Sequence, residues 1–421
     1  MLQRANIFCL IFVMSLLPML IGSIATRVIT TQLNPGCDIP ECKQGYNGTF
    51  PNLLHVVATG PRDTLQYVVS SIGAVTAVVA RFDRRARLTV DWRRLLSTNA
   101  TEFSTSVRFD RKPLETFAVV FTKLIEYRDQ DDTADMTSLP VNYTDIKALN
   151  FENLNWRDSR DFAETTANSV VFETAVDDDL FFENGSISLK FVFPPTEARM
   201  TELPHLLFNG NGSTIDFVVD RYRSSFKNAR IAVEFAHVTA ETSEPLSYEI
   251  DQSIDDEFTP GIFKTVAMTT AGDRRANGSY LQWKPVCYLK PGRAMKVATS
   301  VREYDLRNVT SRDDAFLDRS IASAIYGAKM ADYAIRATNV SFGLSEDGYY
   351  TGTNYTAWTL TTGYGTRPTE ALSVLVISVI SVGLGIPVAL IVFGGIGVCV
   401  KKRRAKLSSS YREIGSNSVS T

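Results

Sequence analysis

Thirty consecutive residues without a charge, Ala371 to Val400 (ALSVLVISVISVGLGIPVALIVFGGIGVCV), constrain this chain more than any other stretch. At about 1.5 Å of rise per residue such a helix reaches about 45 Å, more than the ~30 Å hydrocarbon core of a bilayer, so it spans with room to tilt. Lys401, Lys402, Arg403 and Arg404 follow at once. Basic residues set against an apolar run stop transfer and stay cytoplasmic. The run therefore predicts a single transmembrane helix over 371–400, a cytoplasmic tail over 401–421 and a type I orientation. A core helix of a soluble protein would carry polar residues along one face, and this run has no such face. Ser381, Gly383, Gly385, Gly394, Gly395 and Gly397 add small residues at which a second helix can approach closely.

The other end of the chain pairs Arg4 with an apolar run from Ile7 to Ile21 and the small residues Ser23 and Ala25. That arrangement is a secretory signal peptide over 1–25, cut after Ala25; it is short for a span, and Pro18 interrupts it. What remains between signal and anchor, 26–370, is long enough for one large or two ordinary domains with a real core. Of 44 basic and 46 acidic residues, the tail holds six basic and one acidic and the signal one basic, which leaves 37 basic against 45 acidic outside the cytosol. So acidic a surface excludes nucleic acid as a natural partner. The KKRR cluster is explained by stop transfer rather than by nuclear import.

Asn-x-Ser/Thr with x other than Pro occurs at Asn47, Asn99, Asn142, Asn184, Asn211, Asn277, Asn308, Asn339 and Asn354. All nine lie between signal and anchor, where about three would be expected by chance among nineteen asparagines. They predict N-glycans distributed around the whole lumenal body rather than a mucin-like stalk. Three cysteines share that compartment. Cys37 and Cys42 are spaced to close a small disulfide loop around Asp38 to Glu41, leaving Cys287 free and buried; alternatively Cys287 pairs with one of the two.

Between the sequons the pattern is that of strands. Leu53 to Ala58, Leu65 to Val69, Val75 to Ala80, Leu88 to Trp92, Phe117 to Phe121, Val170 to Val176, Ile187 to Phe193, Ile215 to Val219 and Ile231 to Phe235 alternate or run short and β-branched. Gly, Asn, Asp and Pro clusters separate them. The expectation is a mainly β, antiparallel sandwich-type ectodomain. Asp318 to Ala337 is alanine-rich and is expected to be helical.

Chemistry is harder to find. Asp129 to Asp135 (DQDDTAD) begins like a calcium loop, but Ala134 stands where Gly is needed and Pro140 where a closing Glu belongs, so a solvated loop is expected. Asp177 to Asp179 reads as a turn, and Asp255, Asp256 and Glu257 as a charged loop. His55, His205 and His237 are the only histidines, and His55 in its apolar run reads as a sheet-face residue rather than a base. No nucleophile elbow, metalloprotease helix motif, redox motif or phosphate loop occurs. The sequence nominates no catalytic residue, no cofactor and no metal, although acids are numerous enough to supply the carboxylate pair of a hydrolase.

The tail contains Tyr411-Arg412-Glu413-Ile414, tyrosine with a bulky aliphatic residue three positions on. The spacing resembles the sorting signals that clathrin adaptors bind as extended peptides, which implies delivery to endosomes and lysosomes. Further stretches carry a family resemblance: PNLLH at Pro51, TLQYVVSS at Thr64, LTVDW at Leu88, VFTKLIEY at Val120, NGSISLKF at Asn184, SIDDEF at Ser253 and QWKPV at Gln282. In this order they resemble the glycosylated lysosomal membrane protein family, over most of the ectodomain, the anchor and the tail. The resemblance implies a non-enzymatic accessory subunit in the lysosomal membrane that binds a major-facilitator transporter and shields it from lumenal proteases. A lumenal hydrolase or ligand-binding receptor is the alternative, with a self-standing structural glycoprotein third.

Overall fold

The computed structural model describes residues 26–416 apart from 47, 139–144, 176–181, 240–245, 253–257, 271–277, 311–314, 348, 350–353 and 371–373. The signal peptide, Asn47, Asn142, Asn277, Asp177 to Asp179 and the acids of SIDDEF lie outside the described residues. Two units are present, a β-rich body that ends at Pro368 and a segment from Thr369 onward that contains the apolar helix.

The body is built of antiparallel strands, as the alternation requires. The first sheet runs in spatial order Val28–Leu33, Leu53–Thr59, Thr64–Ser70, Val75–Phe82, Glu115–Arg128, Ala229–Thr239 and Ala334–Phe342. Glu115–Arg128 is long enough to hold two neighbours on one edge, Val75–Phe82 along its first half and Ile146–Asn150 along its second. The second sheet runs Ser169–Glu173, Phe182–Val192, Gly212–Tyr222, Tyr355–Tyr364, Ser279–Trp283, Lys264–Thr269 and Ser247–Gln252. Val286–Tyr288 leaves the second sheet to pair with Ala298–Glu303, which pairs with Ala334–Phe342 of the first.

The faces that meet are apolar at every second residue. Val56, Tyr67, Val119, Phe121, Val233 and Phe235 from the first sheet pack on Leu189, Phe191, Ile215, Phe217, Leu281 and Leu360 from the second. Aromatic rings fill the centre: Trp283 and Trp358 meet edge to face with centroids 5.6 Å apart, and Phe235 lies 6.1 Å from each. Such pairs contribute about 0.5–1.5 kcal/mol each beyond the area they bury.

A second apolar layer covers half of the first sheet's outer face. Val68, Val78, Ala118, Val120, Ala236, Val238, Ile335 and Ala337 point away from the sandwich and are roofed by Trp92, Leu95, Phe103 and the helix Ile321–Tyr326. The helical expectation for Asp318 to Ala337 is therefore correct only in its first part. After Tyr326 the chain turns at Gly327 (φ 57°), tightens into a 3-10 segment to Asp332 and becomes the strand Ala334–Phe342. Alanine suits a helix alone, but here Ile335 and Ala337 alternate beneath the helix that precedes them, and packing overrides propensity. Likewise Leu88 to Trp92 is a strand only to Val90; Trp92 opens a short helix capped by Asp91, which accepts from the Arg94 amide.

The described anchor is one continuous helix, Val374–Ser416, with none of its apolar part buried and long enough to cross a membrane.

Candidate functional site

The structure distributes the sequence-nominated residues rather than gathering them. Cys37 and Cys42 are disulfide-bonded, with Cα atoms 6.3 Å apart, and Cys287 is a free thiol in the inter-sheet core, where burial pushes its pKa up. Asn99, Asn308 and Asn354 are exposed, while Asn211 and Asn339 are half-buried. Asn184 lies in the strand Phe182–Val192. Asn99 also caps the short helix that follows it, accepting from the Thr101 amide at 2.9 Å. Tyr411 and Ile414 fall within the last turns of the anchor helix, so the backbone there is helical, and an adaptor that binds an extended peptide must unwind it.

Of the three histidines one is buried and two are half-buried. His55 bonds Gln66 Oε1 at 2.8 Å on the sheet face, and burial lowers its pKa. His205 contacts the Met200 carbonyl through Nδ1 at 2.9 Å. His237 is 1% exposed, stacks on Phe117 and meets Ser279 Oγ through Nε2 at 3.0 Å, and Ser279 in turn bonds Thr270. Serine beside histidine resembles half of a hydrolytic triad, but this pair is sealed between two sheets and no substrate reaches it. Burial depresses the His237 pKa to about 4.

The acidic loop departs from the solvated reading. Asp129 is 1% exposed, accepts from the Thr133 and Ala134 amides at 2.9 Å each, and receives Arg230 Nε at 2.7 Å. Arg230 is itself fully buried and also reaches Asp132, the Leu344 carbonyl and Asp347. One guanidinium thus fastens two loops, 129–135 and 344–347, to the end of the Ala229–Thr239 strand. Ala134 sits at φ 52° and is buried, a conformation that the two Asp129 bonds hold in place. Nothing in the sequence pattern pairs Asp129 with a residue a hundred positions away. Among the described residues no group of His, Cys, Asp and Glu is placed to hold a metal ion.

The half of the first sheet's outer face that none of the described helices covers forms a groove of about 650 Å³. Its floor is a patch of four adjacent strands: Ile146 and Ala148, then Lys123 and Ile125, then Glu234, then Asn339. Glu234 is 2% exposed at the centre of this floor. Lys123 lies 3.0 Å from one carboxylate oxygen, which Thr122 also donates to, and Arg307 lies 2.6 Å from the other. The rims are tied together, since the Met136 amide donates to Tyr304 Oη at 2.8 Å and Arg302 pairs with Asp135 at 2.7 Å.

The second sheet ends in an edge. Among the described residues Ser247–Gln252 pairs only with Lys264–Thr269. Tyr248 and Ile250 on it, and Phe263 beside it, are 42%, 50% and 46% exposed. Arg367, one residue before the body ends, pairs with Glu249 and Asp251 of the same strand.

Residues 52–405 match the family model described as glycosylated lysosomal membrane protein. Curated proteins of that name are similar along almost the whole chain. The glycosylated lysosomal membrane protein B of Xenopus laevis is 28% identical, covering 93% of this chain and 94% of its own. The Danio rerio protein is 29% identical over 93% of each, and the Homo sapiens protein 25% over 89% of each.

Proposed function

The chain belongs to the glycosylated lysosomal membrane protein family, and from that premise we propose that it is a non-enzymatic accessory subunit of a major-facilitator-type transporter in the lysosomal membrane. The one membrane-length apolar helix among the described residues and the large β body fit a single-pass type I lysosomal membrane protein. The role is to bind the transporter, stabilise it and keep lumenal proteases from its short loops. The tail signal around Tyr411 and Ile414 would deliver the pair through a clathrin adaptor.

One observation carries this reading: among the described residues the strand Ser247–Gln252 is paired along one edge only, and it exposes Tyr248 and Ile250. Exposed strand edges are liabilities that proteins cover, and an extended loop of a partner covers one by adding a strand. The buried chemistry agrees, since Arg230, Glu234 and His237 are engaged in holding the fold. Purification of the intact protein in mild detergent, with mass-spectrometric identification of co-purifying membrane proteins, tests the assignment. A transporter recovered in constant proportion supports it. Recovery of the protein alone, with turnover of a lysosomal substrate by its purified body, would transfer the assignment to a lumenal enzyme.

A further inference from the structure

Asn339 is a sequon asparagine at an unusual address. Its strand, Ala334–Phe342, is interior to the first sheet, paired with Ala229–Thr239 along one edge and with Ala298–Glu303 and Arg307–Asn308 along the other. Alternation along it puts Ile335 and Ala337 under the helical roof and Asn339 beyond the roof's end, in register with Glu234. Asn339 therefore lines the groove, and its Oδ1 is buried without a hydrogen-bond partner among the described residues. An unpartnered buried amide oxygen costs about 1–3 kcal/mol, so it points to a donor that belongs there.

We infer that the N-glycan of Asn339 lies in this groove and covers the part of the sheet face that the helices leave open. Glycan transfer precedes folding, so a sequon in a central strand is modified before the strand is made, and the sugar must then leave along the sheet face. The groove suits a pyranose on both counts. Ile125, Ile146, Ala148 and the Tyr304 ring present apolar surface to the C–H face of a sugar, while Asp305 and Arg307 on the rim offer an acceptor and a donor to its hydroxyls. Because the sugar is covalently attached, its effective concentration is high and even weak contacts hold it in place. The tied rims keep the groove formed in advance, which limits the ordering cost.

The test is site-resolved deglycosylation of the intact protein. Native protein is treated with peptide N-glycosidase F over a time course, and each site is quantified by mass spectrometry, with a denatured sample as reference. Asn339 is expected to be occupied and released at least tenfold more slowly than the exposed Asn99, Asn308 and Asn354, with the difference vanishing on denaturation. An unmodified Asn339, or release at the rate of the exposed sites, overturns the inference and leaves the groove for another occupant. Asn339→Gln should raise the rate of limited thermolysin cleavage above that of Asn354→Gln; equal rates would refute the covering role.

Discussion

His237 of the first sheet and Ser279 of the second meet across the core, Nε2 to Oγ at 3.0 Å, and among the described residues no other polar atom bonds the imidazole. A histidine held this way is neutral in the fold, with its pKa depressed by burial to about 4. The unfolded chain, near 6.5, binds the proton more readily. Stability from this group is therefore complete above about pH 6.5 and falls as pH drops toward 4, by roughly 2 kcal/mol at about pH 5. Glu173 and Glu303, raised by burial, act in the opposite direction, so the comparison must be between variants. Chemical denaturation of wild type and His237→Gln at about pH 7 and pH 5 should show the smaller acid loss in the variant. Identical pH dependence would mean that His237 is not the buried titrating group.

Arg230 is the second prediction. Replacing it with Met leaves Asp129 buried without its cation, and breaking one side of such a pair costs about 3–5 kcal/mol. Loops 129–135 and 344–347 should then become sites of proteolytic nicking. Full stability with intact loops in Arg230→Met would show that Asp129 needs only its backbone donors.

Gly73 makes a purely steric prediction. It sits at φ 71°, and a Cβ there would fall 1.6 Å from the Arg319 carbonyl oxygen, where the Ala74 amide donates across to the helical roof. Gly73→Ala should destabilise the body by more than about 1 kcal/mol, since both the backbone and the neighbour must move. A thermal midpoint equal to that of wild type would mean the roof shifts at no cost.

Sorting can be separated from folding. Tyr411→Ala removes the ring that an adaptor pocket would take and lies outside the β body, so the variant should fold normally yet accumulate at the cell surface. Lysosomal delivery at the normal rate would place the address on a partner.

Much of this fold was legible because alternation is local. Leu53 to Ala58, Ile215 to Val219 and Ile231 to Phe235 announce strands from their own residues, and the anchor does so from length alone. What was not legible depends on partners distant in sequence. The alanines after Asp318 give no sign that a strand will run beneath the helix they begin, and DQDDTAD looks solvated until Arg230, a hundred residues on, is seen to bury its first acid. The groove was hidden for the same reason: Asn339, Glu234, Lys123 and Ile146 are neighbours only through strand register.

The shielding role is tested most directly by the abundance of the partner transporter in lysosomes of cells lacking this protein, measured with and without cathepsin inhibition. A marked fall that cathepsin inhibition partly reverses is expected. Re-expression of the wild-type chain should restore the level, and a chain with Tyr248 and Ile250 both changed to Lys should restore less. Transporter levels indifferent to the loss of this protein while cathepsins are active would contradict it.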